Sequence, residues 1–373
     1  MKVAILTITD GANYGNRLQN YALQEVLKAM GHEVETIKRP TYRDKMGVAL
    51  IEETIKICIK KCLGRKTGES YRQRKRNFAR FNKNYVKFSK MSLSNNMAPK
   101  NAGELYDYFV CGSDQVWNAR IRIVKEDLKN YLASFAAPEK RIAYAASFGT
   151  NDVPAEDKAL FSEQLKHFKA IGLREYTGLN IVQALSGRED STVVLDPTML
   201  LTTNQWSSIA QKPNFFSADE PYIVTYLLGG RETAISEYIN KLAKRCQCRV
   251  INLENEFISE SRITEPDAYK VAPDEFVWLI QNAQCVLTDS FHATVFAILF
   301  HKPFMVFERK ATEHGNNMES RIETLLGKFD LLRFHDEIDH PTKLPEMYDE
   351  ENVERVLEKE RKISVEFLKN ALA

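Results

Sequence analysis

Cysteine, glycine and proline are all scarce in this sequence. Six cysteines among 373 residues are too few for a disulfide framework, and no CxxC pair or Cys/His cluster forms a zinc motif, so we expect neither disulfides nor a metal site. The 16 Gly, the 12 Pro and a hydrophobic fraction of 44% exclude a collagen-like or disordered chain. These absences indicate a globular protein of the reducing cytoplasm.

Long apolar runs and an excess of either charge are also lacking. No stretch approaches the ~18 apolar residues that a membrane-spanning helix needs, and the apolar run at residues 3–8 ends too soon for a signal peptide. Lys and Arg total 52 against 50 Asp and Glu, so a formal net charge of +2 gives no general preference for nucleic acid. We expect a soluble or peripheral protein whose electrostatic function is local.

Alternating strand-like and helix-like segments predict an α/β fold. The chain opens with an apolar strand at 3–8, a helix with one apolar face and an alternating strand at 32–37, which together form a β-α-β unit. Further strands are predicted at 106–111, 141–146 and 170–173, and the polar stretch 202–221 is interpreted as a linker. After it, predicted strands at 222–227, 249–253, 285–288 and 304–307 alternate with predicted helices at 234–243, 273–282 and 291–300.

This pattern predicts two Rossmann-like domains facing across a cleft, followed by a charged helix that packs back across the domain boundary. We assign residues 1–205 to the first domain, with a basic helical insertion at about 50–90, residues 206–340 to the second, and 341–373 to the terminal helix. Ligands of open parallel sheets bind beyond the carboxyl ends of the strands, so the cleft is the expected site.

Residues 56–90 differ in charge from the rest of the chain. They contain 13 Lys or Arg and one acidic residue, Glu69, and their aromatic residues recur at helical spacings. Two interpretations remain open: the aromatic face packs on the protein core with the cations in solvent, or the helix lies on an anionic membrane surface.

The most informative polar turn is 288–292. Asp289 or Ser290 is placed to cap the following helix, which leaves His292 in the first turn, where backbone N–H groups favour an anion and an imidazole can donate a proton. The alternative is that His292 has only a structural role.

Four cations follow neighbouring strands: Arg174, Arg309, Lys310 and Arg321. They suggest a compact, multiply charged anion as ligand. For Arg174, a surface pair with Glu175 or Glu189 is the competing interpretation.

Several catalytic motifs are missing. Gly11 and Gly15 lack the spacing of a dinucleotide-binding or Walker loop, and no HExxH, GxSxG or paired-carboxylate glycosidase pattern stands out. The turn 112–115 is polar and follows a strand, which fits either a binding loop or a tight structural turn.

Five ordered motifs make the sequence resemble the polysaccharide pyruvyl transferase family along nearly its whole length. They are Asn13-Tyr14-Gly15-Asn16 with Leu18-Gln19, Gly112-Ser113-Asp114-Gln115-Val116-Trp117, Leu173-Arg174-Glu175, Asp196-Pro197-Thr198 with Trp206, and Thr288-Asp289-Ser290-Phe291-His292 with Lys302-Pro303-Phe304.

The resemblance implies a glycosyltransferase-B-like pair of domains that moves pyruvate from phosphoenolpyruvate onto two hydroxyls of a hexose of the galactose or mannose type in bacterial capsule or exopolysaccharide. Phosphoenolpyruvate is a co-substrate, and no cofactor is expected. The sugar acceptor is expected to be lipid-linked or nucleotide-linked, with the protein in the cytoplasm or at the inner face of its membrane. One departure from the family is Ser290, where members with this chemistry carry Arg.

The roles implied for individual residues follow from the same resemblance. His292 is the acid that protonates C3 of the donor, and Asp114 or Asp289 takes a hydroxyl proton. Arg174 with Arg309, Lys310 or Arg321 holds the donor's anionic groups. Substrate-binding positions complete the set, namely Asn13, Tyr14, Asn16, Ser113, Gln115 and Ser290.

Two other functions remain open at this point. One is a nucleotide-sugar glycosyltransferase of the same fold and pathway. The other is a non-catalytic partner that binds glycan or membrane.

Overall fold

Two parallel β-sheets organise the chain in the computed structural model, which describes residues 1–9, 11–39, 68–216, 220–229, 233–256, 258, 262–309, 319–336 and 343–373. The strands of the first sheet are β1 (Lys2–Leu6), β2 (Glu33–Lys38), β3 (Phe88–Ser92), β4 (Tyr108–Cys111), β5 (Arg141–Ala146), β6 (Ala170–Leu173) and β7 (Thr192–Val193). Their spatial order is β3-β2-β1-β4-β5-β6-β7, with parallel pairing throughout. The strand order reverses between β1 and β4, which opens a crevice at their carboxyl ends.

The second sheet repeats this design. Its strands are β8 (Tyr222–Tyr226), β9 (Arg249–Leu253), β10 (Cys285–Thr288), β11 (Phe304–Phe307) and β12 (His335–Asp336). The order β12-β11-β10-β8-β9 is parallel as well and reverses between β8 and β10. The prediction of two Rossmann-like domains facing across a cleft is confirmed.

Helices cover the sheets and connect the strands. They are α1 (Tyr14–Ala29), α2 (Glu69–Tyr85), α3 (Arg122–Lys125), α4 (Leu128–Tyr131), α5 (Ala155–Leu165), α6 (Tyr176–Ser186), α7 (Thr203–Ile209), α8 (Thr233–Cys246), α9 (Pro266–Tyr269), α10 (Pro273–Asn282), α11 (Phe291–Leu299), α12 (Glu319–Lys328) and α13 (Glu350–Leu372). In the part of the chain that the structure describes, none of them has both the length and the apolar character needed to cross a bilayer.

The stretch 202–221, interpreted from its polarity as a linker, contains a helix instead. Thr202 caps α7, because its side chain accepts from the Gln205 backbone N–H at 3.2 Å while the Gln205 side chain accepts from the Thr202 N–H at 2.8 Å. Trp206 is fully buried and donates its indole N–H to the Thr198 carbonyl at 2.9 Å. The polar residues of this stretch therefore start a short helix that packs on the core.

Helix α1 lies between the two domains and fixes the loop after β1. Its N-cap is Asn13, which accepts from the Asn16 N–H at 3.3 Å. Tyr14 is fully buried and stacks on Phe276 of the second domain, with ring centroids 4.4 Å apart. Gln19 donates to the Thr7 hydroxyl at 2.8 Å, which ties the helix back to the end of β1. The first turn of α1 is thus anchored to both domains.

Helix α2 contains residues 69–85 of the basic segment, whose residues 56–67 lie outside the described residues. The prediction of a helix up to about residue 90 is wrong at its end, because strand β3 begins at Phe88. The buried side of α2 is formed by Phe78, Phe81 and Arg74, which is the packing that one of the two interpretations predicted for the aromatic face. The Arg74 guanidinium donates to the carbonyls of Ala12 at 3.0 Å, Glu254 at 3.0 Å and Tyr269 at 2.8 Å. This buried cation therefore connects the two domains beside the cleft.

Helix α13 packs across the domain boundary, as expected. Near its start, Glu354 pairs with His301 of the second domain at 3.0 Å. Further along, Arg361 donates to the carbonyls of Met199 at 2.6 Å and Leu201 at 2.9 Å, and the Ser364 hydroxyl accepts from the Leu195 N–H at 2.9 Å. One helix thus holds both domains.

Candidate active site

A cavity of about 500 Å³ lies between the carboxyl edges of the two sheets, where both strand orders reverse. The loops after β1 and β4 and helix α2 form one wall, and the loops after β8, β9, β10 and β11 together with α12 form the other. The predicted site residues that line it are Asn13, Asn16, Asp114, Gln115, Ser290, His292, Arg309 and Arg321. Four others are buried and lie behind its walls: Tyr14, Ser113, Arg174 and Asp289. Lys310 lies outside the described residues.

His292 reaches the cavity from the first turn of α11. Ser290 is the N-cap of this helix, with its hydroxyl accepting from the Ala293 N–H at 3.5 Å. The Phe291 and His292 backbone N–H groups are therefore among those that a helix start leaves for a ligand, and the helix dipole favours an anion there. An anion at this place lies within reach of the imidazole.

Behind His292 lies a buried ionic cluster centred on Asp196. Its Oδ2 is 2.8 Å from Arg174 Nη2, accepts from the Ser113 hydroxyl at 2.8 Å and is 3.7 Å from His292 Nε2. Its Oδ1 accepts from the Thr198 N–H at 3.0 Å and the Thr198 hydroxyl at 2.6 Å. Burial acts to raise the pKa of Asp196, but the Arg174 guanidinium and the His292 imidazole outweigh it and hold that pKa well below its ordinary value.

Arg174 does not pair with Glu175 or Glu189 at the surface. Its side chain is 1% exposed, stacks over the Phe291 ring at 4.8 Å and lies 3.6 Å from Asp114 through Nη1. The guanidinium therefore acts behind the cavity wall, where it neutralises Asp196 and supports the start of α11.

The Asp289 carboxylate is occupied by structural contacts. Its two oxygens accept from the backbone N–H groups of Leu228 and Gly229, each at 2.7 Å, and Arg309 Nε is 3.2 Å from Oδ2. Arg309 also donates to the Asp289 carbonyl at 3.0 Å. Asp289 thus orients Arg309 and joins the loops after β8 and β10, whereas Asp114, which lines the cavity, remains the better placed of the two predicted bases.

Arg321 supplies a second cation to the cavity. It projects from α12 and is 2% exposed. Burial lowers the pKa of Arg321 to about 10, and the neighbouring Arg174 acts in the same direction. The side chain therefore remains protonated at neutral pH, in a place where few waters compete for its hydrogen bonds.

Glu175 organises the loop after β5. Its Oε1 accepts from the Ser147 hydroxyl at 3.0 Å and from the Phe148 N–H at 2.9 Å. Burial raises the pKa of Glu175, against the opposing effect of Arg321 and Arg174. A Cβ on Gly149 would lie 2.1 Å from Oε1 of Gln115, so this loop packs tightly against a residue that lines the cavity.

Gly11 and Gly15 adjoin side chains of the opposite domain. A Cβ on Gly15 would lie 2.0 Å from His292 Nδ1, and one on Gly11 would lie 2.5 Å from Glu256 Oε1. Glu256 also accepts from the Ala12 N–H at 2.6 Å. The two glycines, which fit no nucleotide-binding motif, thus let His292 approach the first turn of α1 and let Glu256 approach the loop after β1.

Sequence reasoning missed Glu256 and the roles of Asp196 and Arg74. Glu256 and Asp114 are the acidic residues of the described cavity lining, and no described cation pairs with Glu256. No motif marks Glu256, and the glycine at position 11 was the one feature of the sequence that could have pointed to a closely approaching side chain. Among the described residues, no three His, Cys, Asp or Glu side chains are grouped so as to hold a metal ion.

Comparison with solved structures finds weak similarity to nucleotide-sugar enzymes. The UDP-GlcNAc 2-epimerase from Neisseria meningitidis, bound to UDP-GlcNAc, is 12% identical, with 99% of this chain and 100% of the other covered and a TM-score of 0.44. A putative UDP-N-acetylglucosamine 2-epimerase from Listeria monocytogenes is 10% identical, with 96% and 94% covered and a TM-score of 0.49. At these values the similarity says nothing about substrate or reaction.

Comparison with known sequences is more specific. No curated protein matches the chain significantly. The family model described as polysaccharide pyruvyl transferase, however, matches residues 13–310, which include every motif quoted above. The chain belongs to the polysaccharide pyruvyl transferase family.

Proposed function

We propose that this protein transfers the pyruvyl group of phosphoenolpyruvate onto two hydroxyls of a hexose, of the galactose or mannose type, during the synthesis of bacterial capsule or exopolysaccharide. The observation that carries the proposal is the position of His292: its imidazole lines a cavity that also receives the start of α11 and the guanidinium groups of Arg309 and Arg321. A proton donor beside a site for a multiply charged anion is what this reaction needs.

Phosphoenolpyruvate presents a phosphate and a carboxylate. The start of α11 and Arg321 together offer backbone N–H groups and a fixed cation for one of these groups. Arg309, oriented by Asp289, lines the same cavity and is our candidate for contacting the other. Ser290 stands where related enzymes carry Arg, and Arg309 is our candidate for supplying that missing charge.

The reaction balances with one acid and two hydroxyl groups. His292 gives a proton to C3 of the donor, which makes C2 electrophilic, and one hydroxyl oxygen bonds to C2. The second hydroxyl oxygen then bonds to C2 as the bond from C2 to the phosphate oxygen breaks. Of the two hydroxyl protons, one restores His292 and the other leaves with the phosphate. Asp114 is our candidate for accepting a hydroxyl proton.

The acceptor is proposed to be a lipid-linked or nucleotide-linked sugar, handled in the cytoplasm. A lipid carrier would bring the enzyme to the membrane, and α2 exposes cations for such a surface, including Arg76, Arg80 and Lys83. Each cation near an anionic bilayer contributes about 1 kcal/mol. Flotation with phosphatidylserine vesicles at low salt, reversed by high salt and lost in Arg76→Glu/Lys83→Glu, would support this location, whereas no flotation at low salt would exclude it.

The donor is tested first by thermal unfolding. A ligand at ~100 times its dissociation constant adds ~2.7 kcal/mol to stability, so saturating phosphoenolpyruvate should raise Tm. A rise with UDP-sugars and none with phosphoenolpyruvate would overturn the proposal in favour of a nucleotide-sugar glycosyltransferase.

Turnover is tested with phosphoenolpyruvate and a panel of lipid-linked hexoses. The expected products are inorganic phosphate and a sugar with an acid-labile pyruvyl ketal, detected by mass spectrometry. His292→Gln should abolish phosphate release while keeping the Tm rise with phosphoenolpyruvate. His301→Gln is the matched control, because His301 follows the same helix and pairs with Glu354 outside the cavity. Equal activity in the His292 variant and the wild type would refute the assigned acid.

A further inference from the structure

The two nitrogens of the His292 imidazole have different surroundings. Nε2 is completely buried and has no hydrogen-bond partner among the described residues, and the Asp196 Oδ2 atom lies 3.7 Å from it. Nδ1 is not among the buried unpartnered atoms, and the side chain, 9% exposed, lines the cavity. Nε2 therefore faces the protein interior, and Nδ1 keeps access to the cavity.

Gly15 lies against the Nδ1 edge of the ring. A Cβ at this position would lie 2.0 Å from Nδ1, 2.6 Å from Cγ and 2.7 Å from Cε1, so any larger residue would fill the space beside that edge. The ring cannot easily turn its Nε2 edge toward the cavity instead, since Asp196 would then lose its only nearby imidazole nitrogen and face carbon.

We propose that Asp196 is a positioning residue that holds the Nε2–H of His292, so that the proton delivered to the substrate is the one on Nδ1. In the step, the Nδ1–H bond breaks and the C3–H bond forms from the electron pair of the donor's C2–C3 double bond. The ring is left neutral, with its remaining proton on Nε2. The identity of the proton acceptor rests on the proposed function, whereas the orientation of the ring does not.

The surroundings of Asp196 suit this role. The Asp196 side chain is completely buried, and Arg174, Ser113 and Thr198 supply its fixed hydrogen bonds. With its pKa held well below the ordinary range, the carboxylate accepts the Nε2–H bond but does not take the proton. A movement of less than about 1 Å brings Nε2 from 3.7 Å into hydrogen-bond range.

The tautomer of His292 tests this assignment without any substrate. Full-length protein labelled with ¹⁵N-histidine shows by NMR which ring nitrogen carries the proton, and a His292→Gln variant identifies the signal. Neutral His292 is expected as the Nε2–H tautomer. Asp196→Asn replaces a charged acceptor by a neutral amide, and the ratio of Nε2–H to Nδ1–H should fall at least about tenfold.

Thr198→Val is the matched control. It removes a hydrogen bond to the other carboxylate oxygen, Oδ1, and should leave the Nε2–H tautomer dominant. A folded Asp196→Asn variant with an unchanged ratio would overturn the proposal. If that variant does not fold, the wild type still decides, because a neutral His292 with its proton on Nδ1 contradicts the assignment directly.

Kinetics separates this inference from the proposed function. With phosphoenolpyruvate as donor, Asp196→Asn should lower kcat for phosphate release by about 10²- to 10⁴-fold, as a misoriented imidazole does in other enzymes, and leave the Tm rise with phosphoenolpyruvate in place. If the Nε2–H tautomer is found but phosphoenolpyruvate neither binds nor releases phosphate, the donor assignment fails and the role of Asp196 stands. An Asp196→Asn enzyme as active as the wild type would refute that role.

Discussion

Replacing Gly15 by alanine should disable the enzyme without unfolding it. The added Cβ would lie 2.0 Å from His292 Nδ1, whereas carbon and nitrogen atoms in contact are about 3.5 Å apart, so the ring must move by roughly 1.5 Å. Both helices that carry these residues are buried at this point, which leaves the imidazole as the part that yields. Since a 1 Å misplacement costs about 10²-fold, kcat/KM should fall by at least that factor.

The free energy of unfolding of Gly15→Ala should change much less than its activity. Overpacking costs about 1–3 kcal/mol, and replacing glycine by alanine inside a helix returns about 1 kcal/mol. Gly327→Ala is the matched control, because Gly327 also lies in a helix and a Cβ there meets nothing within 4 Å. That variant should be fully active and about 0.5–1 kcal/mol more stable.

The assay is phosphate release from phosphoenolpyruvate, with the free energy of unfolding measured in urea alongside. A Gly15→Ala enzyme within about threefold of the wild type would refute the argument, because it would mean that the ring position near Nδ1 does not matter. A variant that is inactive because it is unfolded would show a collapsed urea midpoint, which separates the two causes of inactivity.

Three further predictions concern charged side chains. Arg74→Ala leaves three carbonyls without their buried donor, so the free energy of unfolding in urea should fall by at least about 3 kcal/mol. The exposed Arg76→Ala should lower it by less than about 0.5 kcal/mol. Equal losses in the two variants would contradict the role of Arg74 in connecting the two domains. Because the pKa of Glu175 is raised, the folded state binds the proton of this carboxyl more tightly than the unfolded state does. The free energy of unfolding of the wild type, relative to that of Glu175→Gln, should therefore fall as pH rises above about 4.3. Parallel curves of unfolding free energy against pH for the two proteins would refute this. Glu256 lines the cavity, and we expect its carboxylate to accept a hydrogen bond from a hydroxyl of the sugar acceptor. Glu256→Gln should then lower kcat/KM for the acceptor by about 10- to 100-fold with the Tm rise from phosphoenolpyruvate unchanged, and an unaltered kcat/KM would show that Glu256 does not contact the acceptor.

Nine of the twelve described strands were predictable, because periodicity reports burial directly, whereas β3, β7 and β12 were not predicted. The helix at 273–282, the strand at 285–288 and the start of α11 at Phe291 were predicted with their observed bounds. The prediction of a linker at 202–221 was wrong because the polar residues found in linkers are also those that begin helices. The capping box of Thr202 and Gln205 indicates a helix start more reliably than the composition of the stretch does.

Partners within the site were harder to predict than its position. Arg174 was a candidate clamp or a surface residue, and its actual partner, Asp196, is chosen by tertiary packing that no local pattern encodes. Glu256 belongs to a loop without a motif and becomes a site residue only because the second domain faces Gly11. The polar residues that follow strand ends were therefore enough to locate the cavity, whereas the ion pairs around it could be seen only in the folded structure.

The course of α13 limits how the cleft can open. Because one unbroken helix is fastened to His301 of one lobe and to Met199 and Leu201 of the other, the lobes cannot simply move apart. We expect substrate entry to occur by rotation of the domains about α13 or by bending of that helix. The distance between two labels placed across the mouth of the cavity should then change, while the distance between two labels placed beside α13, one on each domain, should stay nearly constant.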